Sequence, residues 1–271
     1  MQRTLDRWEH ENDLAILDKM TSKAFDCQGR RIGHLKQLTR VSVSPDAQTM
    51  ACVGSDGREQ FGDAGRTITV MDGSGSIHSF RLEELGSKLL AISSTGCTAI
   101  AVNQWRVDRL LLLIMGDHVS DLLPLAKGSI EGRIESLSFS GNGSLLAVGS
   151  RDSFVVLDVK RRSVNFEARG RFPTLSPTGR GLSFVNGRQL VYRDLITSGI
   201  HLPYGRRWVS GIGGWSPDSR YLLVGMSTGI MQNQVRILDV AAGMTVDVVA
   251  IGEGNFGTAF TWVSRKLIER D

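Results

Sequence analysis

The chain has 271 residues, of which 41% are hydrophobic and 22% charged, a balance that excludes a disordered chain. Its 31 glycines and its few long runs rich in Ala, Leu, Glu and Lys argue against an all-helical fold. A net charge of +4 and a pI near 9.1 are a mild basic excess and only weak evidence for nucleic-acid binding.

The N-terminal segment, residues 1–12, is charged throughout and lacks the apolar stretch of a secretory signal. No run of the chain approaches 18 apolar residues, so we expect a cytoplasmic protein without a membrane partner. Cys27, Cys52 and Cys97 lie far apart, and no histidine stands at metal-ligand spacing from another. Neither a disulfide framework nor a metal or other cofactor is therefore predicted.

From residue 13 onward the chain repeats a unit with two parts. The first part is a strand, a tight turn that starts at a serine, and a second strand. In this turn Pro fixes φ at the second position, Asp, Asn or Thr follows, and Gly often supplies a positive φ. The turn serines are Ser44, Ser93, Ser140, Ser176, Ser216 and Ser264.

The second part of the unit is an apolar strand that ends in Asp, a short turn and a further strand. Four such residues, Asp72, Asp158, Asp194 and Asp239, stand where a carboxylate can accept backbone N–H bonds from the turn that follows. A structural role in the turn is therefore predicted for all four.

Six turn serines predict six blades of a β-propeller. Ser264 lies seven residues before the end, so the C-terminus is too short to complete the sixth blade, whereas residues 13–27 match the second part of the unit, with Asp18 in the turn position. We predict an all-β fold, a single six-bladed β-propeller closed by N- and C-terminal strands that share the last blade, because closure removes exposed sheet edges. Seven blades are less favoured.

The predicted domain spans residues 1–271, with 13–264 as repeats and 1–12 as an N-terminal extension or extra strand. Two points stay open at this stage. The C-terminus contributes either one strand or two to the closing blade, and residues 3–11 form either a strand or a helical turn.

The repeats resemble WD40-like propeller repeats, in particular the TolB-type variant with a Ser-Pro-Asp-Gly turn and a Leu-Ala-Val strand. The matching residues include Ser44 to Asp46, Ser176 with Pro177, and Ser216 to Asp218, and the resemblance covers roughly residues 13–264. It implies a propeller that acts as an interaction platform. The Gly-His and Trp-Asp dipeptides of strict WD40 repeats are missing, and so is a second domain of the kind that accompanies periplasmic TolB. A periplasmic role is not implied.

Two motifs look enzymatic. Gly252 to Gly257 fits the glycine loop of a protein kinase, yet only 14 residues follow it and no HRD or DFG sequence is present. Gly225 to Gly229 fits the nucleophile elbow around Ser227, yet a strand follows it and no histidine lies beyond His201. Both are predicted to be turns or connections, and no catalytic residue is predicted.

Loops that join blades, and loops that join the second and third strands of a blade, emerge on one face of a propeller. Here they mix arginine with aromatic residues, the types that dominate binding hot spots, as in segment 168–172 (ARGRF). The predicted partner-binding residues are Arg30, Arg31, Trp105, Arg106, Arg109, Lys127, Arg133, Tyr204, Arg206, Arg207 and Trp208. The same face holds the acidic residues Asp56, Glu59 and Asp63.

The leading hypothesis is a non-catalytic protein–protein interaction scaffold within a larger complex. The first alternative is a nucleic-acid-associated subunit of a ribonucleoprotein or DNA-processing machine, favoured by the pI and the same loops. The second is a small-molecule hydrolase or lyase propeller with a site at the mouth of the channel. The simplest interpretation of the arginine-containing loops is that their arginines are solvated and bind no partner.

Overall fold

The computed structural model describes residues 8–9, 11–19, 23–26, 30–34, 39–54, 67–72, 74, 76–81, 87–103, 108–113, 118–126, 128–130, 132–197, 199–201, 209–227, 233–249 and 260–268. The strands in these ranges form six four-stranded antiparallel sheets. The helix α1 covers Leu123–Ala126, and a single 3-10 turn covers Arg265–Leu267.

Sheet 1 combines strands from both ends of the chain. Its order is β24 (Phe260–Ser264), β1 (Leu14–Asp18), β2 (Lys23–Phe25) and β3 (Arg31–His34).

The other five sheets each follow the order of the chain. Sheet 2 contains β4 (Thr39–Val43), β5 (Thr49–Gly54), β6 (Thr67–Asp72) and β7 (Ile77–Arg81). Sheet 3 contains β8 (Ser87–Ile92), β9 (Thr98–Asn103), β10 (Asp108–Leu113) and β11 (Val119–Asp121). Sheet 4 contains β12 (Ser136–Phe139), β13 (Leu145–Gly149), β14 (Ser153–Asp158) and β15 (Ser163–Arg169). Sheet 5 contains β16 (Arg171–Leu175), β17 (Gly181–Asn186), β18 (Gln189–Asp194) and β19 (Ile200–His201). Sheet 6 contains β20 (Val209–Trp215), β21 (Tyr221–Ser227), β22 (Asn233–Asp239) and β23 (Met244–Val249).

The first strands of the sheets contact one another in turn. β4 contacts β8, β8 contacts β12, β12 contacts β16, β16 contacts β20, β20 contacts β24, and β24 contacts β4. First strands that surround a common axis, with three further strands outside each, are the arrangement of a β-propeller. The prediction of an all-β propeller is confirmed.

Sheet 1 joins the two ends of the chain, as expected from the repeat. β24 pairs antiparallel with β1, so that Leu14 lies opposite Ser264 and Asp18 opposite Phe260. Within the described residues the C-terminal side contributes this one strand, and the 3-10 turn follows it. On the N-terminal side Trp8, Glu9 and Glu11 are helical, which favours the helical alternative for that segment.

The core lies between the sheets and consists mainly of second and third strands. The sequences of these strands are uninterrupted runs of apolar residues, because neighbouring sheets cover both faces of each strand. In sheet 4, Leu146 to Val148 and Phe154 to Leu157 are fully buried. Burying each of the leucine, valine and phenylalanine side chains among them contributes roughly 1.5–3 kcal/mol, so the packing between sheets is the main source of stability.

The turn serines have one recurring structural role. All six are buried, and five of them accept a hydrogen bond at Oγ from the backbone N–H at the start of the next strand, for example Thr49 to Ser44 at 2.9 Å and Tyr221 to Ser216 at 2.8 Å. The same Oγ bonds to the side chain two residues further on, as between Ser216 and Asp218 at 2.5 Å. The buried hydroxyl satisfies a backbone group that strand pairing leaves open, which explains the recurrence of serine.

A positive φ follows three residues after each of these five serines. Gly96, Gly143 and Gly179 supply it in three turns, with φ of 82°, 69° and 70°. In the other two turns Ala47 and Ser219 adopt φ of 61°. The turn requires the left-handed conformation, and glycine is only the least strained residue for it.

Neighbouring serine turns bond to one another around the axis. Backbone N–H groups donate from Ser94 to the carbonyl of Gly141 at 3.0 Å and from Gly141 to the carbonyl of Pro177 at 2.7 Å. A Cβ on Gly141 would lie 2.6 Å from that same Pro177 oxygen, so this close approach requires glycine. The backbone N–H of Ser264 likewise donates to the carbonyl of Ala47 at 2.9 Å.

No serine turn connects β24 to β1, because the two strands come from opposite ends of the chain. A latch formed by Trp8, Glu9 and Arg265 occupies this place. Arg265 donates from a terminal guanidinium nitrogen to Glu9 Oε1 at 2.8 Å and from Nε to the carbonyl of Leu14 at 2.8 Å. Trp8 donates from Nε1 to Asp218 Oδ2 at 2.9 Å, in the neighbouring serine turn. These contacts hold the terminal segments against sheets 1 and 6.

Candidate partner-binding face

Strand direction divides the connections of the molecule between two faces. Turns that join the first to the second strand and the third to the fourth strand of a sheet emerge on one side, here called the turn face. Loops that join the second to the third strand, and one sheet to the next, emerge on the opposite side, here called the connection face. The division follows from the antiparallel order of all six sheets.

The structure describes only part of the predicted binding set. Trp105, Arg106, Lys127, Tyr204, Arg206, Arg207 and Trp208 lie outside the described residues, as do Asp56, Glu59 and Asp63. Arg109 is the second residue of β10, next to a loop of the connection face, and its side chain is outside the description as well. Arg133 is exposed between α1 and β12, on the connection face as expected.

The predicted face is wrong for Arg30. This residue lies in the connection between β2 and β3, the third and fourth strands of sheet 1, and therefore on the turn face. Its Nε donates to Asp26 Oδ2 at 2.6 Å, and Arg31 begins β3 at the same end. The prediction placed Arg30 and Arg31 in a loop of the connection face, whereas Arg31–His34 form the outer strand of sheet 1 and this strand begins at the turn face.

Five arginines on the turn face are bound to carboxylates of the same chain. Five ion pairs join described side chains, and all five lie on this face: Arg30–Asp26, Arg161–Asp158, Arg180–Asp194, Arg220–Asp239 and Arg265–Glu9. These arginines have a structural explanation within the fold.

The Asp positions of the repeat hold the turns as predicted. Asp194 Oδ1 accepts from the backbone N–H groups of Ile196 at 2.8 Å and Thr197 at 2.9 Å, while Oδ2 accepts from Arg180 at 3.0 Å. The backbone N–H of Thr197, then that of Ile196 and the guanidinium of Arg180, lower the pKa of Asp194 from 3.8 to about 2. Comparable bonds run to Asp72, Asp158 and Asp239.

Three arginines on the connection face have no such partner. Arg151 lies in the loop between β13 and β14, while Arg169 ends β15 and Arg171 begins β16. All three are exposed, and none forms an ion pair with a carboxylate in the described part of the chain. We call Arg151, Arg169 and Arg171 the connection-face arginines.

The backbone brings the connection-face arginines to one place between sheets 4 and 5. Arg169 and Arg171 flank Gly170, whose N–H donates to the carbonyl of Asp152 at 3.0 Å, next to Arg151. Gly170 has φ of 151°, and a Cβ there would lie 2.7 Å from Cδ2 of Phe184. The tight crossing from sheet 4 to sheet 5 therefore requires glycine and fixes the positions of the two arginines beside it.

Phe172 carries an unusual backbone conformation at the same crossing. Its φ is 55°, rare for a bulky residue, and β16 has a register shift between Arg171 and Thr174. The Phe172 side chain packs against the core between sheets 5 and 6, and the guanidinium of Arg171 lies 4.9 Å from the centre of its ring. This cation–π contact holds Arg171 at the surface without neutralising its charge.

The site has a signal in the sequence for two of its three arginines. Arg169 and Arg171 belong to the ARGRF segment that the loop pattern singled out. Arg151 was missed, although it follows a Leu-Ala-Val-Gly strand in the loop between the second and third strands of its blade. A search of every such loop for arginines would have included Arg151, whereas its lack of an ion-pair partner is known only from the tertiary structure.

Groups suited to catalysis or metal binding are sparse in the described part of the chain. No cluster of three or more His, Cys, Asp or Glu residues there has the geometry to hold a metal ion. Ser227 ends strand β21, and Gly252 to Gly257 lie outside the description. Burial raises the pKa of the Cys52 and Cys97 thiols to about 11, so neither is a ready nucleophile. None of the described helices has the length and apolar character needed to span a bilayer.

The fold defines the chain as a β-propeller with a WD40-like repeat. The family model for the WD domain, G-beta repeat, matches residues 124–157, which include β12, β13 and all but the last residue of β14. A search of the curated proteins finds no significant match.

The same fold is found in solved structures, among them two propellers. The chain is similar to TolB from Acinetobacter baumannii, with a TM-score of 0.60, 13% identity and 92% of this chain covered. It spans 66% of the length of that TolB chain. It is also similar to the β-propeller domain of Cps50 (Swd1) from Myceliophteria thermophila, with a TM-score of 0.53 and 12% identity, covering 91% of this chain and 89% of that one. At such low identity these likenesses concern the fold alone.

Proposed function

We propose that the chain is a non-catalytic interaction scaffold that binds another protein through its connection face, as one component of a larger complex. The observation that carries this proposal is the contrast between the two faces. The described ion pairs all lie on the turn face, whereas the connection-face arginines are exposed and unpaired. Arginine is among the residues that dominate binding energy in interfaces, because it combines area, stacking and bidentate hydrogen bonding.

The architecture that we propose is one closed ring of six blades spanning residues 1–271 as a single domain. It is supported by six four-stranded sheets, by contacts of each first strand with the next, and by the pairing of β24 with β1. A closed ring gives a binding face a rigid support, because each blade is held on both sides.

The predicted residues that the structure does not describe belong to the same proposal. Trp105, Arg106, Arg109, Lys127, Tyr204, Arg206, Arg207 and Trp208 stay predicted members of the face, together with Arg133. Arg30 and Arg31 lie at the turn-face end of β3 and are less suited to binding at the connection face. A cytoplasmic location stays a prediction from the sequence.

The test is a quantitative pull-down from the native source with two triple variants of equal charge change. One variant is Arg151→Gln, Arg169→Gln, Arg171→Gln on the connection face. The matched control is Lys160→Gln, Arg161→Gln, Arg162→Gln, in the turn between β14 and β15 of sheet 4. We expect partner recovery to fall strongly for the first variant and to stay near wild type for the control. Equal recovery with both variants would contradict the proposal.

A further inference from the structure

The connection-face arginines have a chemistry that narrows the kind of partner, if the proposed function holds. We infer that they bind an acidic peptide segment of the partner, with carboxylates in contact with the guanidinium groups of Arg151, Arg169 and Arg171. Exposed, unpaired guanidinium groups match carboxylates in charge and in bidentate geometry. The observations that follow favour a peptide over a nucleic acid.

The first observation is the shape of the charged surface. The three arginines lie around one crossing between sheets 4 and 5, where Gly170 N–H meets the carbonyl of Asp152. This is a local cluster and not a stripe of the kind that follows a nucleic-acid backbone over several nucleotides. A short run of acidic side chains suffices to match it.

The second observation is the presence of acidic residues within the same surface. Asp152 follows Arg151 in the chain. Glu135 directly precedes β12, the first strand of sheet 4, and so lies on the connection face as well; both carboxylates are exposed. These carboxylates would repel a polyphosphate chain, which carries a charge at every nucleotide. A peptide can place neutral or basic residues opposite them, so they select a partner with a particular charge pattern.

The third observation concerns aromatic side chains. Proteins that bind single strands stack bases on exposed aromatic rings. None of the Phe, Tyr and Trp side chains whose burial the structure describes is exposed, and Phe172 is packed against the core beneath Arg171. The cluster offers guanidinium groups and backbone but no free ring, which suits carboxylates better than bases.

The strained crossing between sheets 4 and 5 positions two of the arginines before a partner binds. The φ of 55° at Phe172 and the glycine-dependent turn at residue 170 hold the backbone of Arg169 and Arg171 in one conformation. A cluster positioned before binding loses less conformational entropy when a partner arrives. The strain at this place is consistent with a binding role.

The experiment measures fluorescence anisotropy with three labelled probes of equal length. They are a 12-residue peptide of alternating Glu and Gly, the same peptide with Gln in place of Glu, and a 12-nucleotide oligodeoxythymidine. Each is titrated with the wild-type protein, the triple Gln variant of Arg151, Arg169 and Arg171, and the Lys160, Arg161, Arg162 control. Thermal unfolding of both variants checks that they are folded.

We expect the Glu peptide to bind wild type at least tenfold more tightly than the Gln peptide does. Its affinity should fall at least about tenfold in the connection-face variant, because three exposed ion pairs are lost, and by less than about twofold in the control. The inference is overturned if the Glu peptide does not bind, if both variants weaken it equally, or if the oligonucleotide is the probe that depends on the three arginines. Should the pull-down depend on these arginines while the peptide does not bind, the inference fails and the proposed scaffold function stands.

Discussion

The ion pair between Glu9 and Arg265 in the latch offers a direct test of how the two ends of the chain are held together. Glu9 is 3% exposed, and the side chain of Arg265 is 24% exposed, so the ion pair at 2.8 Å is largely shielded from water. Removing one member of a buried pair leaves the other charge without compensation and typically costs about 3–5 kcal/mol. We therefore expect Arg265→Met to lower the free energy of unfolding by roughly this amount, a large part of the 5–15 kcal/mol that is typical of a domain.

The assay is urea unfolding followed by tryptophan fluorescence. Trp8, a member of the latch, and Trp262 in β24 report on this contact, since the centres of their rings lie 5.5 Å apart. A double variant, Glu9→Gln with Arg265→Met, should lose less stability than the sum of the two single variants. Each single variant leaves one uncompensated charge, whereas the double variant removes both charges of the pair. The matched control is Arg161→Gln, which breaks an ion pair with an 83% exposed arginine and should change stability by no more than about 0.5 kcal/mol. The reasoning is refuted if Arg265→Met unfolds at the same urea concentration as wild type.

Three further predictions concern single positions. Gly170→Ala should cost about 1–3 kcal/mol in urea unfolding, because its Cβ would lie 2.7 Å from Cδ2 of Phe184 and φ is 151°; an unchanged midpoint would show that the crossing is not constrained. The pKa of Asp194 is about 2 in the folded protein against 3.8 ordinarily, so the ionised carboxylate stabilises the fold above about pH 4, and this contribution is lost as the pH falls through about 2. The gap in urea midpoint between wild type and Asp194→Asn should therefore shrink from pH 5 to pH 2, and a constant gap would contradict the assignment. With thiol pKa values of about 11, Cys52 and Cys97 should resist alkylation by iodoacetamide in the native protein at pH 8 and react in urea, as mass spectrometry can show.

The serine turns show how much of this fold is determined locally. Ser216 bonds to Asp218 and to the N–H of Tyr221, five residues further on, and Asp194 bonds to N–H groups two and three residues away. Contacts over so few residues depend on side-chain chemistry and turn geometry alone. The sequence therefore determined the repeat, its turns and the propeller fold.

The partner of each arginine was decided by tertiary structure. Arg265 meets Glu9 across 256 residues, and Arg220 meets Asp239 across 19, so no local pattern could separate these paired arginines from the unpaired Arg151. Successive connections along the chain emerge on opposite faces of the ring. A residue assigned to the wrong end of its strand, as Arg30 was, is therefore placed on the opposite face. Composition and turn signals set the kind of strands and turns, whereas strand direction and contacts between distant segments decided which charges remain available to a partner.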